Sequence, residues 1–299
     1  MMSKRNEKTD KIISCIHQTS FHMLLLYMDF SLTQRKKGKC VKSSSIWYII
    51  HHKEVKYMED FLTSEERQIE ICEVDYMGQY QLCHLLNRFS EIATISAKNI
   101  GMWSEEMMKQ YGWVVAKQSL HLDQPIYYKD IITLSTTIDN GSFVAFPRYY
   151  FIHKGNQQIG TCSSIWTLID IHKRRIVSPK KIGIDIPKVE HGIHLDEPQT
   201  ICLDIPLNFI TTRQVLYSDV DTNQHMNNTR YIQWALDVMD YTVHKEYFIS
   251  DLHIQYKKEI RPLKFVQLYL GNQDNRYIVE GRDEDESVYF TIEIYFNKR

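Results

Sequence analysis

The chain has 299 residues, 43% of them hydrophobic and 24% charged, which is typical of a globular protein with one large domain or two. Its net charge of −1 hides an asymmetry, because residues 1–57 carry +7 and the remainder therefore carries −8. An acidic body argues against nucleic acid as the main partner, since phosphate binding needs a basic surface. No apolar run approaches the length of a membrane span, so no spanning segment is expected.

The cysteines indicate a reducing compartment. They are scattered without Cys-x-x-Cys spacing, and the histidines form no metal-ligand pattern with cysteines or carboxylates. A disulfide framework is not expected in a chain of this size. We therefore predict free thiols, a cytoplasmic location, no metal and no cofactor. The cysteines are Cys15, Cys40, Cys72, Cys83, Cys162 and Cys202.

Residues 1–57 differ from the rest of the chain because they are basic and show no sustained period. Lys53-Glu54-Val55 can be encoded by codons that contain a bacterial ribosome-binding sequence, and Met58 follows at a plausible spacing. We expect translation to begin at Met58, with the preceding residues as translated upstream DNA. The alternative is a real basic tail. In either case the first domain is expected to begin at residue 58.

The first domain is expected to contain a strand, a long helix and then several strands. A strand is expected from residue 69, and a helix is predicted over residues 79–98, with Gly101 placed to cap its end. Strand-like runs follow at 113–122, 131–138, 148–153 and 159–169. The helix carries apolar residues on one face at Leu82, Leu85, Leu86, Phe89, Ile92, Ala93 and Ala97.

The same order recurs after a loop around residues 179–206. A strand is predicted at 210–217, and a helix follows at 227–239, with its apolar face at Tyr231, Trp234, Ala235 and Val238. The remaining strands are predicted at 252–256, 265–270, 277–280 and 288–296. One helix followed by an antiparallel meander, twice, predicts an α+β fold.

The most informative segment lies directly before the second helix. Asp221, Asn223 and His225 stand at every second position, and alternate residues of an extended segment point the same way. The three side chains are therefore expected to converge beside a helix N-terminus, whose unpaired N–H groups suit a developing oxyanion. Such a set favours acyl chemistry over metal binding. The alternative is structural, because Asp and Asn are also favoured in turns and helix caps.

This segment resembles the active-site motif of the acyl-acyl-carrier-protein thioesterases. Their pattern reads Asp-x-Asn-x-His, then Asn-Asn, Tyr and Trp, as in Asn227-Asn228, Tyr231 and Trp234 here. Downstream, Tyr256-Lys257-Lys258-Glu259-Ile260 is similar to their Tyr-Arg-Arg-Glu-Cys strand. The Glu matches, whereas Ile260 stands at the Cys position, which we interpret as evidence that this Cys is dispensable.

The resemblance implies two tandem hotdog folds, each a long helix wrapped by an antiparallel sheet. It covers roughly residues 60–297 and predicts an N-terminal domain at 58–185 and a catalytic domain at 186–299. Trp113-Val114-Val115-Ala116-Lys117 and Ser163-Ser164-Ile165-Trp166 are also similar to family segments. The Asp75-x-x-Gly78 turn stands where the motif stands in the second half but lacks the Asn and His. The first half is therefore expected to lack the catalytic set.

The implied reaction is hydrolysis of a thioester, with Asp221, Asn223, His225 and Glu259 as the candidate catalytic residues. Asn223 would donate to the carbonyl oxygen or hold the water, and His225 would take the proton. Glu259 or Asp221 would orient the imidazole. A carboxylate could instead attack and form an anhydride, and the sequence leaves both routes open.

The implied partner is acyl carrier protein loaded with a fatty acyl thioester, and the implied product is a free fatty acid. An acyl-CoA thioesterase and a noncatalytic acyl-binding regulatory module are the alternatives. Basic residues at 173–175 and 180–181 are interpreted mainly as solvated loop charge, with carrier docking as the weaker alternative. A second basic cluster that could dock the carrier lies nearer the proposed site, at Lys257, Lys258, Arg261 and Lys264. Both a monomer and a homodimer are compatible with the sequence.

Overall fold

The computed structural model describes residues 61–190 and 192–299. The expectations for residues 1–57, including the start at Met58, lie outside these described residues. The described part belongs to one compact unit. None of its helices is long and apolar enough to cross a membrane.

The described chain contains three helices and eleven strands, apart from short 3-10 turns. The helices are α1 Leu82–Asn99, α2 Asn228–Asp237 and α3 Tyr241–Glu246. The strands of the first half are β1 Thr63–Gln68, β2 Tyr111–Leu122, β3 Ile131–Ile138, β4 Phe146–Lys154, β5 Gln157–Asp170 and β6 Arg175–Ile176. The strands of the second half are β7 Asn208–Gln214, β8 Tyr247–Tyr256, β9 Phe265–Gln273, β10 Arg276–Arg282 and β11 Val288–Lys298.

All the strands belong to one antiparallel sheet whose order repeats. The order is β1-β3-β4-β5-β2 in the first half and, read inward from the other edge, β7-β9-β10-β11-β8 in the second, with β6 paired to β5. The two halves therefore share one topology. They join where β2 pairs with β8, with Lys117 opposite Gln255 and His121 opposite Asp251.

The helices fill the concave side of this sheet. On α1, the predicted apolar stripe is buried, and the Phe89 ring stacks on Tyr150 with ring centroids 4.4 Å apart. On α2, Tyr231 packs edge-on against Phe290, and Trp234 is fully buried. A helix wrapped by an antiparallel sheet in each half is the α+β arrangement predicted from the sequence.

The connection between the halves covers the outer face of the second half. Ile201 and Ile205 form a small apolar cluster with Ile278 on β10. Arg276 on the same strand pairs with Asp204 of the connection and with the buried Glu293 of β11, at 2.6 Å in each case. The connection therefore covers the outer face of β10 and the region around Glu293 of β11.

Several elements differ from the sequence predictions, including the strand predicted at 210–217, which ends at Gln214 and is followed by a 3-10 turn at Tyr217–Asp219. The first strand lies at Thr63–Gln68, and the residues after Ile69 instead form a 3-10 turn at Ile71–Glu73. The second helix ends at Asp237, short of the predicted residue 239, because Asp240 accepts the backbone N–H of Thr242 and caps the separate helix α3. The predicted division at residues 185 and 186 stays a prediction.

Candidate active site

The same turn precedes α1 and α2, and an aspartate organises both copies. Oδ1 of Asp75 accepts the backbone N–H groups of Met77 and Gln79, at 2.8 and 2.9 Å. Oδ1 of Asp221 accepts those of Asn223 and His225, at 2.8 and 3.5 Å. In each copy the flanking residues form an antiparallel bridge. The hydrogen bonds that hold the turn therefore explain why an aspartate stands at position 221, without a direct role in catalysis.

The predicted extended geometry of the motif is wrong, because residues 221–225 form this tight turn. Gln224 has a φ of 62°, matching the 75° of Gly78 in the first copy. The turn places the Asn223 side chain in solvent, with its amide nitrogen 3.5 Å from Oδ2 of Asp221. The backbone hydrogen bonds of one turn therefore bring the motif residues together, and not alternation along an extended strand.

The turn is fixed to the start of α2 and to the segment that follows β8. Asn227 caps the helix by accepting the backbone N–H of Thr229 at 2.9 Å. Met226 donates its backbone N–H to the carbonyl of Ile260 at 2.7 Å. This bond aligns the residue before Ile260, which is Glu259, with the turn that carries His225.

His225 and Glu259 form an ion-pair contact across this junction. Nε2 of His225 lies 2.9 Å from Oε2 of Glu259. The side chains retain 24% and 35% of their exposure, so both groups remain accessible to solvent or to a ligand. The structure therefore brings together the histidine and the carboxylate that the sequence places in separate segments.

Arg174 is a member of this cluster that the sequence analysis does not identify. It lies in the turn between β5 and β6 of the first half, and its guanidinium pairs with Glu259. Its Nη2 lies 3.5 Å from Nε2 of His225. Arg261, from the segment after β8, has its Nε 3.7 Å from Oε1 of Glu259. The only sequence signal was the basic run at residues 173–175, which was read as solvated charge.

The electrostatic environment favours the neutral imidazole. Partial burial lowers the pKa of His225, and the charges of Arg174 and Arg261 lower it further, whereas Asp221 raises it. Glu259 would favour the imidazolium, but its carboxylate is also paired with Arg174. A neutral imidazole at physiological pH is the form that a general base requires.

Three other residues of the family segments lie in the core. Tyr231 and Trp234 are 2% and 1% exposed, so their contribution is to packing. Ile260 is fully buried, and its carbonyl holds the turn through Met226. A side chain at this position therefore faces the core, away from the His225–Glu259 pair.

A surface groove of about 640 Å³ lies beside the turn that carries Arg174. Gln110 lines the groove and donates to Oδ2 of Asp170 at 3.5 Å, and Tyr111 pairs with Asp170 along the sheet. The groove begins at the end of α1, where Ile100 and Gly101 line it. The cluster as a whole offers a base, an orienting carboxylate and an exposed amide.

Comparison with protein families gives matches in both halves. The acyl-ACP thioesterase N-terminal domain matches residues 60–182, and the C-terminal domain matches residues 207–297. The chain is 26% identical over 196 residues to a chloroplastic acyl-[acyl-carrier-protein] hydrolase of Cuphea viscosissima, covering 59% of this chain and 47% of that protein. It is 22% identical over 194 residues to a chloroplastic palmitoyl-acyl carrier protein thioesterase of Arabidopsis thaliana, covering 58% and 46%. The chain thus spans about half the length of the curated relatives it matches.

Solved structures show the same fold. An acyl-ACP thioesterase from Bacteroides thetaiotaomicron superposes with a TM-score of 0.67 at 20% identity, covering 80% of this chain and 99% of that one. The 12:0-ACP thioesterase from Umbellularia californica gives 0.66 at 16% identity, covering 80% and 95%. Since both domain models match and together span most of the chain, it belongs to the acyl-ACP thioesterase family.

Proposed function

We propose that the protein hydrolyses acyl-[acyl-carrier-protein] thioesters, releasing free fatty acid and the carrier thiol. The observation that carries the proposal is the 2.9 Å contact between Nε2 of His225 and Oε2 of Glu259, beside the turn that presents Asn223. Membership of the family supports the reaction class. A noncatalytic acyl-binding module would not need a neutral imidazole oriented by a carboxylate.

In this proposal His225 acts as a general base on water. In the proposed tautomer Nε2 carries the proton and faces Oε2 of Glu259, so Nδ1 holds the free lone pair. Nη2 of Arg174, 3.5 Å from Nε2, then acts as a nearby charge and not as a hydrogen-bond donor to the ring. Among residues 61–190 and 192–299 no side chain hydrogen-bonds Nδ1, and the His225 side chain is 24% exposed, so the proposal places the attacking water at this atom. The water oxygen bonds to the thioester carbon as its proton passes to Nδ1. The C–S bond then breaks, and the imidazolium returns the proton to the departing thiolate.

Asn223 is proposed to stabilise the negative charge that develops on the thioester oxygen. Its amide is exposed and sits two residues before His225 in a turn fixed by Asp221. A preorganised N–H donor costs little reorganisation during the reaction, and such donors are among the larger contributions to acyl-transfer catalysis.

Direct attack by a carboxylate is the less supported route. Oδ1 of Asp221 accepts two backbone N–H groups, and Asp75 makes the same bonds in the half that lacks the histidine. Glu259 is paired with Arg174 and lies near Arg261. Hydrogen bonds and ion pairs stabilise a carboxylate and so reduce its nucleophilicity. Both candidate nucleophiles are therefore engaged in other interactions.

The proposed partner is an acidic carrier protein, and a basic rim supports this choice. Arg174 and Arg261 come from different halves and meet at Glu259. Exposed basic residues continue outward from each of them. A docked carrier would place its acyl-bearing arm near the groove beside Asp170. The basic residues around the two arginines are Lys173, Lys257, Lys258 and Lys264.

A cytoplasmic location and a homodimer are also proposed. The cysteines at residues 72, 83, 162 and 202 are free thiols in the described part, which supports a reducing compartment. The two plant relatives cited above are named as chloroplastic. Because β2 and β8 already pair the two halves within one chain, the site needs no second copy.

The decisive experiment is a hydrolysis assay across acyl chain lengths on acyl carrier protein and on coenzyme A. We expect hydrolysis of the carrier-bound series with a higher kcat/KM than for the matching acyl-CoA. Faster hydrolysis of acyl-CoA would instead identify an acyl-CoA thioesterase. Binding of acyl carrier protein without any turnover would identify a noncatalytic module.

A further inference from the structure

We infer that Arg174, supplied by the first half of the chain, is a positioning residue for the His225–Glu259 pair of the second half. The inference rests on the proposed function. It means that the second half is incomplete alone, even though all four residues predicted from the sequence lie within it. The site would then be shared between the two repeats.

The contacts place Arg174 between the two groups that the reaction uses. Its guanidinium pairs with Glu259 through Nη1, and its Nη2 lies 3.5 Å from Nε2 of His225. A planar guanidinium fixes both the position and the plane of a carboxylate more tightly than a single ammonium does. Arg174 therefore holds Oε2 of Glu259 toward the imidazole while engaging Oε1 itself.

The turn that presents Arg174 is built around a buried carboxylate. Oδ1 of Asp170 accepts the backbone N–H groups of His172 and Lys173, at 3.1 and 2.8 Å. The backbone N–H of Arg174 donates to the carbonyl of Asp170 at 2.7 Å. Arg174 has a φ of 51°, a left-handed conformation that glycine and asparagine adopt more readily. The turn thus directs one arginine at a fixed angle across the junction.

The charges around the imidazole come from three elements. Glu259 and Arg261 belong to the segment after β8, Arg174 to the turn between β5 and β6, and Asp221 to the turn of His225 itself. With Arg174 present, each carboxylate in this set has an arginine or backbone N–H groups as partners. Without Arg174, Glu259 would keep only Arg261, whose Nε lies 3.7 Å from Oε1, and would favour the charged imidazolium more strongly.

The alternative is an incidental surface ion pair. Arg174 is 44% exposed, and exposed pairs contribute little to stability. The two interpretations differ in what they predict. An incidental pair would leave both the proton affinity of His225 and the turnover unchanged when it is removed, whereas a positioning residue would change both.

The test compares Arg174→Ala and Arg174→Lys with a matched control, Arg175→Ala. Arg175 is the adjacent exposed residue of the same basic run on β6. We would measure kcat and kcat/KM on acyl carrier protein as a function of pH. The titration of His225 would be followed independently by NMR on histidine-labelled protein, with its signal assigned by its absence in His225→Ala.

In Arg174→Ala, the acid limb of kcat/KM and the NMR midpoint of His225 should both move to higher pH, by roughly 0.5–1 unit. Arg174→Lys should keep the midpoint near that of the unaltered protein but lose kcat severalfold. A lysine ammonium cannot pair with Oε1 of Glu259 and lie beside Nε2 of His225 in the same fixed geometry. Arg175→Ala should change neither. A folded Arg174→Ala protein with an unchanged midpoint would overturn the inference, and so would equal shifts in Arg175→Ala.

If Arg174→Ala does not fold, Arg174→Lys decides alone, and an unaltered kcat there would overturn the positioning role. A failure of the proposed function looks different from a failure of this inference. In that case the unaltered protein would not hydrolyse the carrier-bound substrates at all. The NMR midpoint of His225 would still report whether Arg174 controls the imidazole.

Discussion

Asp75 and Asp221 occupy the same position in two copies of one turn, and each carboxylate accepts backbone N–H groups two and four residues further along the chain. The copies differ in the side chains they present. The second turn carries Asn223 and His225, where the first carries Met77 and Gln79. The turn is therefore a structural unit common to both halves, and the chemistry depends on what the second copy adds to it.

Asp221→Asn should leave a folded enzyme with activity within about tenfold of the original, because the amide oxygen still accepts the two N–H groups of the turn. Since the charge of Asp221 raises the pKa of His225, its loss should lower that pKa. The acid limb of kcat/KM should then move to lower pH.

Asp75→Asn is the matched control for this change. Its amide oxygen should still accept the two N–H groups of the first turn, and the pH profile of kcat/KM should stay unchanged. A fall in kcat of many orders of magnitude in folded Asp221→Asn would contradict the prediction. It would favour attack by the Asp221 carboxylate, because an amide cannot form the anhydride.

His225→Ala should lower kcat by roughly 10²–10⁴-fold while the protein stays folded, which is the usual loss when a general base is removed. The side chain is 24% exposed, so little packing is lost. Circular dichroism and single-turnover hydrolysis would check both statements. Gln79→Ala, at the same position of the first turn, is the control and should hydrolyse substrate at a near-normal rate if it folds. Near-normal turnover in folded His225→Ala would refute the proposed site.

Asn223→Ala should lower kcat by roughly 10²–10³-fold with little change in KM, because an oxyanion donor acts mainly in the transition state. Thr222→Ala, the exposed neighbour in the same turn, should behave like the unaltered protein. A variant at Asn223 that raises KM but keeps kcat would assign this side chain to substrate binding instead.

The elements that sequence patterns located best are those whose apolar periodicity is local. The strand predicted at residues 131–138 is found at Ile131–Ile138, and the buried stripe of α1 matches its predicted face. The strand Thr63–Gln68 escaped prediction because TSEERQ contains no apolar residue and lies at the edge of the sheet.

For the candidate site, the sequence identifies the residues that the family motif carries, but not the partner that the first half of the chain supplies. His225 and Glu259 could be named because a family motif carries both. Arg174 could not, because its place at the site depends on β2 pairing with β8 and on the tight turn after β5. Neither feature leaves a local signature, and a run of basic residues on a loop is usually solvated.

The first half of the chain, which lacks the catalytic set, is predicted to determine acyl-chain preference. The reacting carbonyl must lie near His225, but the fatty tail needs a long apolar space. The stripe of α1 is buried, and a cavity of about 50 Å³ continues one turn further along that helix, beside Ala93 and Ala97 and against Trp113 and Trp166. The stripe comprises Leu82, Leu85, Leu86, Phe89 and Ile92. Much of this stripe is also ordinary core, so only substrate profiles can separate the two roles.

The test is a pair of matched size changes in the two helices. Ile92→Val and Ala97→Leu alter α1, whereas Val238→Ala and Ala235→Leu alter the region of α2. Each methylene that an acyl chain buries is worth about 0.8 kcal/mol, so filling the cavity beside Ala97 should shift preference severalfold per two-carbon step toward shorter chains. Only variants with a near-original melting temperature would be compared, because core changes of this kind also destabilise. If the chain-length profile changes only in the second pair, the tail lies beside α2 and the assignment to the first half is wrong.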